Sequence, residues 1–225
     1  TQDPGPTHKD VSLNLKPYLF ACAVLFLTAC SQRFQDVNAT MAEAVFGADD
    51  VEFNAENINK LPYASAYVRI NEGPQIFMVL AFAEPNTQTG KTQYKWMSSD
   101  RAVIITESGR IVKTIGLYDG NLAGVSRTQQ TDTSWQVTYD WMPKYQYGYD
   151  GIALQTKRGD ERITTAVKSY DTQKVTETIT FDAIDEKIVN SYWKDKETGQ
   201  VIKSVEQLGP EMTTIEITLL KVPTV

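Results

Sequence analysis

From Pro62 onward the chain repeats one pattern: a run of β-favouring residues, then a turn rich in Gly, Asn or Asp, at a spacing of about ten residues. The runs are "ASAYVRI", "QIFMVLAFAE", "YKWMSS", "RAVIITESGRIVKTIG", "ITTAVKSY", "KVTETITFDA", "KIVNSYW", "VIKSVEQLG" and "TTIEITLLKV". With almost no competing helical periodicity, this restricts the fold to an all-β class, an antiparallel barrel or a sandwich-like meander. In "QIFMVLAFAE" the residues from Ile76 to Ala83 are apolar without alternation, which predicts a central strand covered on both faces. Ser108-Gly109, set between two β-rich runs, predicts a tight hairpin. Many alternate positions carry Lys, Glu or Asp, so the strands do not present a lipid-facing band.

The segment before the strands reads differently. "YLFACAVLFLTAC" is apolar from Tyr18 to Ala29, too short for the roughly 20 residues a spanning helix needs. Lys9 and Lys16 precede it and small residues close it, the order of a secretory signal, with residues 1–10 as an extended n-region. Its last four residues, "LTAC", resemble the lipobox of bacterial lipoproteins, which makes Cys30 the lipidation site and the first residue of the mature chain. The expected organisation is a signal peptide over 1–29, a lipidated tether and short helix over 30–56, and one all-β domain over 57–225. Within the tether, "DVNATMAEAVFG" places Met41, Ala44 and Val45 on one helical face. A second helical turn, "NAENINKLP", is capped by Asn54 and stopped at Pro62.

Removing residues 1–29 takes away much chemistry. Cys22 and the single histidine, His8, both lie there, and Cys30 is committed to lipid. Disulfides, Cys-His and Ser-His nucleophiles and His/Cys metal sites are therefore excluded, and no catalytic residue, metal site or cofactor other than the lipid on Cys30 is expected. The lost charges cancel, so the mature chain keeps the net charge of −6. With no basic cluster to oppose it, that charge argues against nucleic acid as a partner.

The densest chemistry left is "WQVTYDWMPKYQYGYDG", which holds Trp135, Tyr139, Trp141, Tyr145, Tyr147 and Tyr149. Aromatic faces stack on sugars, and tyrosine hydroxyls with Asp140 and Asp150 can hydrogen-bond to them, so these six residues are candidates for glycan or partner contact. The competing reading is packing, since Tyr145, Tyr147 and Tyr149 alternate as residues on one face of a strand do. The acidic pairs Asp182 with Asp185 and Asp49 with Asp50 are the candidates for carboxylate catalysis, and read equally as solvated turn residues.

Three segments, "LPYASAYVRINEGPQIFMVLAFAE", "WMSSDRAVIITESGRIVKTIG" and "SYWKDKETGQVIKSVEQLGP", together with the late "LLK", resemble the YjbF/GfcB family of lipoproteins. The likeness covers roughly residues 57–120 and 188–222, and "PNTQTGKTQ" departs from the shorter loop expected there. It implies an antiparallel all-β domain and a role in exopolysaccharide or group 4 capsule production, and supplies no catalytic residue. The expected function is a non-enzymatic accessory lipoprotein at the periplasmic face of the outer membrane, binding polysaccharide or an export-machinery protein. The alternatives are a carboxylate-dependent polysaccharide-modifying enzyme and a β-barrel carrier of a lipid or lipid-linked sugar.

Overall fold

The computed structural model describes residue 1 and residues 50–142 and 146–223. Cys30, the signal segment and the "DVNATMAEAVFG" helix lie outside the described residues. The described part opens with one short helix, α1 (Ala55–Lys60), followed by twelve strands. The Asn54 side chain caps α1 by accepting from the backbone N–H of Asn57 at 2.9 Å, and the chain leaves it at Leu61 in extended conformation before Pro62.

The strands are β1 (Ser65–Ile70), β2 (Ile76–Pro85), β3 (Thr92–Met97), β4 (Val103–Glu107), β5 (Arg110–Ile115) and β6 (Asn121–Thr131). They continue as β7 (Ser134–Met142), β8 (Gln146–Thr164), β9 (Ser169–Phe181), β10 (Glu186–Asp195), β11 (Val201–Gln207) and β12 (Thr214–Lys221). Each strand pairs antiparallel with its sequence neighbour, except β5 with β6, and β1 pairs with β12. The result is one nearly closed, up-and-down sheet. Between β5 and β6 the seam is bridged by side chains instead of a ladder: Thr114 Oγ1 accepts from the Leu122 N–H at 2.9 Å, and Asn121 Oδ1 accepts from the Leu117 N–H at 3.1 Å.

The hairpin between β4 and β5 turns on Ser108 and Gly109, both at positive φ (52° and 73°), the backbone a two-residue turn of this hand requires. Its Gly109 is pressed against β11: a Cβ there would lie 2.5 Å from the Val201 Cβ. Only glycine permits that approach.

Inward residues of the strands form one core that includes Met78, Trp96, Ile104, Tyr139, Trp141, Ile179, Phe181, Ile188 and Ile215. Each buried large side chain of this kind contributes about 1.5–3 kcal/mol of hydrophobic stabilisation. Outside the sheet, residues 50–61 lie along β1 and β2. Val51 and Ile58 are buried, Phe53 meets Phe77 edge-on with ring centroids at 4.9 Å, and Val51 N–H donates to Gln75 O. The packed structure thus includes residues 50–56, which the sequence reading gave to the tether, because Val51 and Phe53 bury apolar surface on the barrel wall.

Two other expectations are corrected. β2 is covered on both faces only near Phe77 and Met78; Phe82 is 55% exposed, because the segment that covers the outer face does not extend so far along the strand. "ITTAVKSY" is not one strand but the β8–β9 turn, where the Thr165 hydroxyl accepts from Val167 and Lys168 N–H groups at 3.2 and 3.1 Å and closes the chain on itself.

Up-and-down topology sorts the turns. Those after odd-numbered strands gather at one end of the barrel, called proximal here because Asp50 lies there, accepting from the Gln75 N–H beside the β1–β2 turn. Those after even-numbered strands gather at the distal end.

Candidate functional site

Three places concentrate polar chemistry. The first is inside the barrel. Arg127 of β6 grips Glu177 of β9 with two hydrogen bonds at 3.0 and 2.7 Å, and Gln155 of β8 adds a third at 2.8 Å. Arg110 of β5 lies 3.6 Å from the same carboxylate and stacks over the Tyr192 ring at 4.6 Å. Tyr192 donates to Glu206 of β11 at 3.0 Å, and Glu206 also accepts from the Ile111 N–H of β5.

The two carboxylates are held in opposite states. Burial pushes Glu206 up to about 7, against its hydrogen bonds from Ser204 and Ile111 N–H. Burial also raises Glu177, but the charges of Arg110 and Arg127 and the bonds from Arg127 and Gln155 outweigh it and hold that carboxyl below its ordinary value. Two convergent carboxylates, one with a raised pKa, are what acid–base chemistry uses. Access is what they lack: Glu177 is fully buried, Glu206 is 4% exposed, and neither lines the cavities at the two ends. They tie β5 and β6, the strands of the open seam, to β9, β10 and β11 across the interior. Sequence reading missed this network because its partners are remote; Ile111 and Glu206 are 95 residues apart.

The second place is the aromatic stretch, which runs along β7 from Trp135 near the distal turn to Trp141 and Tyr149 at the proximal end. Tyr139 and Trp141 are buried core residues, in contact with Phe181 at 5.4 and 5.3 Å between ring centroids. The Trp141 indole N–H donates to Leu208 O at 2.8 Å, and the close approach of Gly209, where a Cβ would lie 2.6 Å from that nitrogen, lets it do so. Trp135 is half-buried, beneath the Arg127 guanidinium at 5.5 Å. Tyr149 is half-buried against Trp141, Tyr147 is 53% exposed, and Tyr145 lies outside the described residues. The stretch thus divides between core and rim, since Gly148 at φ 74° interrupts the alternation on which a single face depends. Beside Trp141 and Tyr149 opens a recess of about 430 Å³, its wall completed by Met212 and its rim carrying Asp119, Glu186 and Glu211.

The candidate acidic pairs lie elsewhere. Asp182 and Asp185 are exposed in a single 3-10 turn, with Asp185 left-handed at φ 54°. Asp50 is paired with Arg69, whose hydrogen bond, with that from Gln75, holds its carboxyl down at about 2. An acid that strong gives up its proton before it can serve as a donor near neutral pH. Asp49 lies outside the described residues.

The third place is a cavity of about 310 Å³ at the distal end, lined by Tyr94, Trp96, Thr106, Ser108, Gln200 and Ser204 among others. It joins residues from β3, β4, β11 and both neighbouring turns, so no local pattern announces it.

An antiparallel sheet curled into a barrel, with recesses at its two ends and Glu177 and Glu206 sealed inside, defines the chain as an up-and-down β-barrel. Comparison with known proteins supplies the family. The model for the family described as "Group 4 capsule polysaccharide lipoprotein gfcB, YjbF" matches residues 38–220, and the chain belongs to that family. It is 33% identical over 208 residues to the uncharacterized lipoprotein YjbF of Escherichia coli K12, covering 88% of this chain and 93% of the relative. It is 28% identical over 218 residues to the uncharacterized lipoprotein GfcB of the same organism, covering 92% and 99%. The crystal structure of the hypothetical lipoprotein YmcC from Escherichia coli K12 superposes with a TM-score of 0.68 at 25% identity, covering 85% of this chain and 96% of that one.

Proposed function

We propose that this chain is a lipid-anchored accessory protein of exopolysaccharide or capsule production that binds polysaccharide or an export protein and does not convert it. One observation supports binding over catalysis: the convergent carboxylates are enclosed by arginines and Tyr192, whereas the open recesses carry aromatic rings. The carrier alternative is disfavoured by the packing of Tyr139, Trp141 and Phe181 in the barrel interior, where a lipid would have to sit. Cys30 is the anchor in this reading, and two or three acyl chains there give stable attachment at about 0.8 kcal/mol per buried CH₂. Ser31 and Gln32, with no aspartate beside the lipid, favour the outer membrane by the sorting rule of enteric bacteria. The glycan-facing residue is Tyr149 at the proximal recess, over the floor made by Trp141.

Two experiments test the proposal. Cys30→Ser is expected to shift the protein from the detergent phase to the aqueous phase or to leave it unprocessed; equal aqueous partitioning of both processed proteins overturns the anchor. Tyr149→Leu, which keeps an apolar wall on Trp141, is expected to reduce polymer secretion with little change in melting temperature. Normal secretion by that folded variant removes the recess from the proposal.

A further inference from the structure

The distal cavity is separate from the aromatic recess, and from its lining we infer a binding site for one uncharged hexopyranose residue of a polysaccharide. Its volume, about 310 Å³, is at the small end of the range for ligand sites, about 300–1,000 Å³, and suits a single ring. Tyr94 and Trp96 supply aromatic surface, with ring centroids 6.5 Å apart, and Ile217 and Leu219 supply aliphatic surface. Between them stand the hydrogen-bonding side chains of Thr106, Ser108, Gln200 and Ser204.

Charge decides the class of ligand. In a chain with 22% charged residues, no Asp, Glu, Lys or Arg among the described residues lines this cavity. A uronate or phosphate entering it would give up water and meet no cation, and an ammonium would meet no carboxylate, so charged sugars are rejected. An acyl chain would strip water from four polar side chains and return no hydrogen bond to any of them. A neutral pyranose answers both demands, since its C–H faces meet rings while its hydroxyls donate and accept around the edge.

The polar groups are also pre-set. The Trp96 indole N–H donates to Thr106 Oγ1 at 3.0 Å, which fixes the ring and leaves the hydroxyl proton of Thr106 for a ligand. Ser204, 3% exposed, is held in place by the packing of β11. The cavity edge depends on Gly109, because the hairpin reaches Val201 only without a side chain there. Holding donors in place before the ligand arrives lowers the ordering cost of binding.

The test uses the full chain in lipid nanodiscs and saturation-transfer NMR with methyl β-D-glucopyranoside, methyl β-D-galactopyranoside and methyl β-D-glucuronide, against empty nanodiscs. At least one neutral glycoside is expected to show saturable transfer that the glucuronide lacks. Gln200→Ala and Tyr94→Ala are each expected to weaken it about tenfold, while Lys113→Gln, at an exposed position that lines neither recess, leaves it unchanged. Tyr94→Phe, which keeps the ring and its packing, is expected to bind within about twofold of wild type. No saturable signal from either neutral glycoside, equal binding of the glucuronide, or loss through Tyr149→Leu and not Gln200→Ala overturns the inference. Quenching of tryptophan fluorescence by dodecanoate, abolished by Tyr94→Ala in the absence of any glycoside signal, assigns the cavity to an acyl chain and overturns it as well.

Discussion

The two ends of this barrel are built from the same strands and offer opposite chemistry. At the proximal end the aromatic floor belongs to the core and the rim is acidic, with Asp119, Glu186 and Glu211 around Trp141 and Tyr149. At the distal end the described residues of the lining carry no formal charge, and the rings of Tyr94 and Trp96 stand among hydroxyls and an amide. An up-and-down sheet makes this division possible, because alternate turns go to alternate ends and each end can vary without disturbing the ladder. The interior network of Arg110, Arg127, Glu177, Tyr192 and Glu206 adds a third, sealed region that holds the wall together.

The comparison breaks most sharply on stability. Trp141→Ala at the proximal end is expected to cost about 3–5 kcal/mol, since the ring is 3% exposed and packs on Phe181, whereas Tyr94→Ala at the distal end costs clearly less. Denaturant unfolding of both variants measures it, and equal losses would erase the distinction between a core floor and a ligand wall.

Next in size is the wall itself. The folded pKa of Glu206 stands above its unfolded value, so its stabilising contribution is complete below the ordinary carboxylate range and declines as pH rises toward about 7. From around pH 4 to around pH 8, wild type is therefore expected to lose about 3 kcal/mol relative to Glu206→Gln, which cannot ionise. Glu177 has the opposite slope at low pH, but it is present in both proteins and leaves their difference intact. Unfolding free energies of the pair across that range decide the matter; a constant difference would mean that Glu206 titrates as an ordinary surface acid.

Smaller again is Gly109→Ala. The positive φ and the meeting with Val201 together predict a loss of about 1–3 kcal/mol, together with widening of the distal cavity. Smallest is the acidic rim: Asp119→Asn with Glu211→Gln is expected to stay within about 0.5 kcal/mol of wild type in thermal melts. A larger effect would show the rim to be part of the packing.

The legibility of these regions in the sequence follows their locality. The Ser108-Gly109 hairpin, the Asn54 cap and the late strands from "KVTETITFDA" onward were readable because turn chemistry and strand propensity act over a few residues. The aromatic stretch was readable as a cluster but not as a division into core and rim, because that depends on where Gly148 turns the chain and on Phe181, which lies beyond it in sequence. Thr165 is a strand former by composition, yet its hydroxyl caps a turn. The distal cavity and the Arg–Glu network were not readable at all, since β5 and β11 meet only when the sheet curls around to its seam.

The pairing of β1 with β12, Ile70 opposite Ile215, sets a timetable for the chain. The first strand cannot find one of its two neighbours until all the strands between them have been made, and contacts of such sequence separation form slowly. Hairpins made early therefore stay short of a closed cylinder, and the final stitch waits for the last strand.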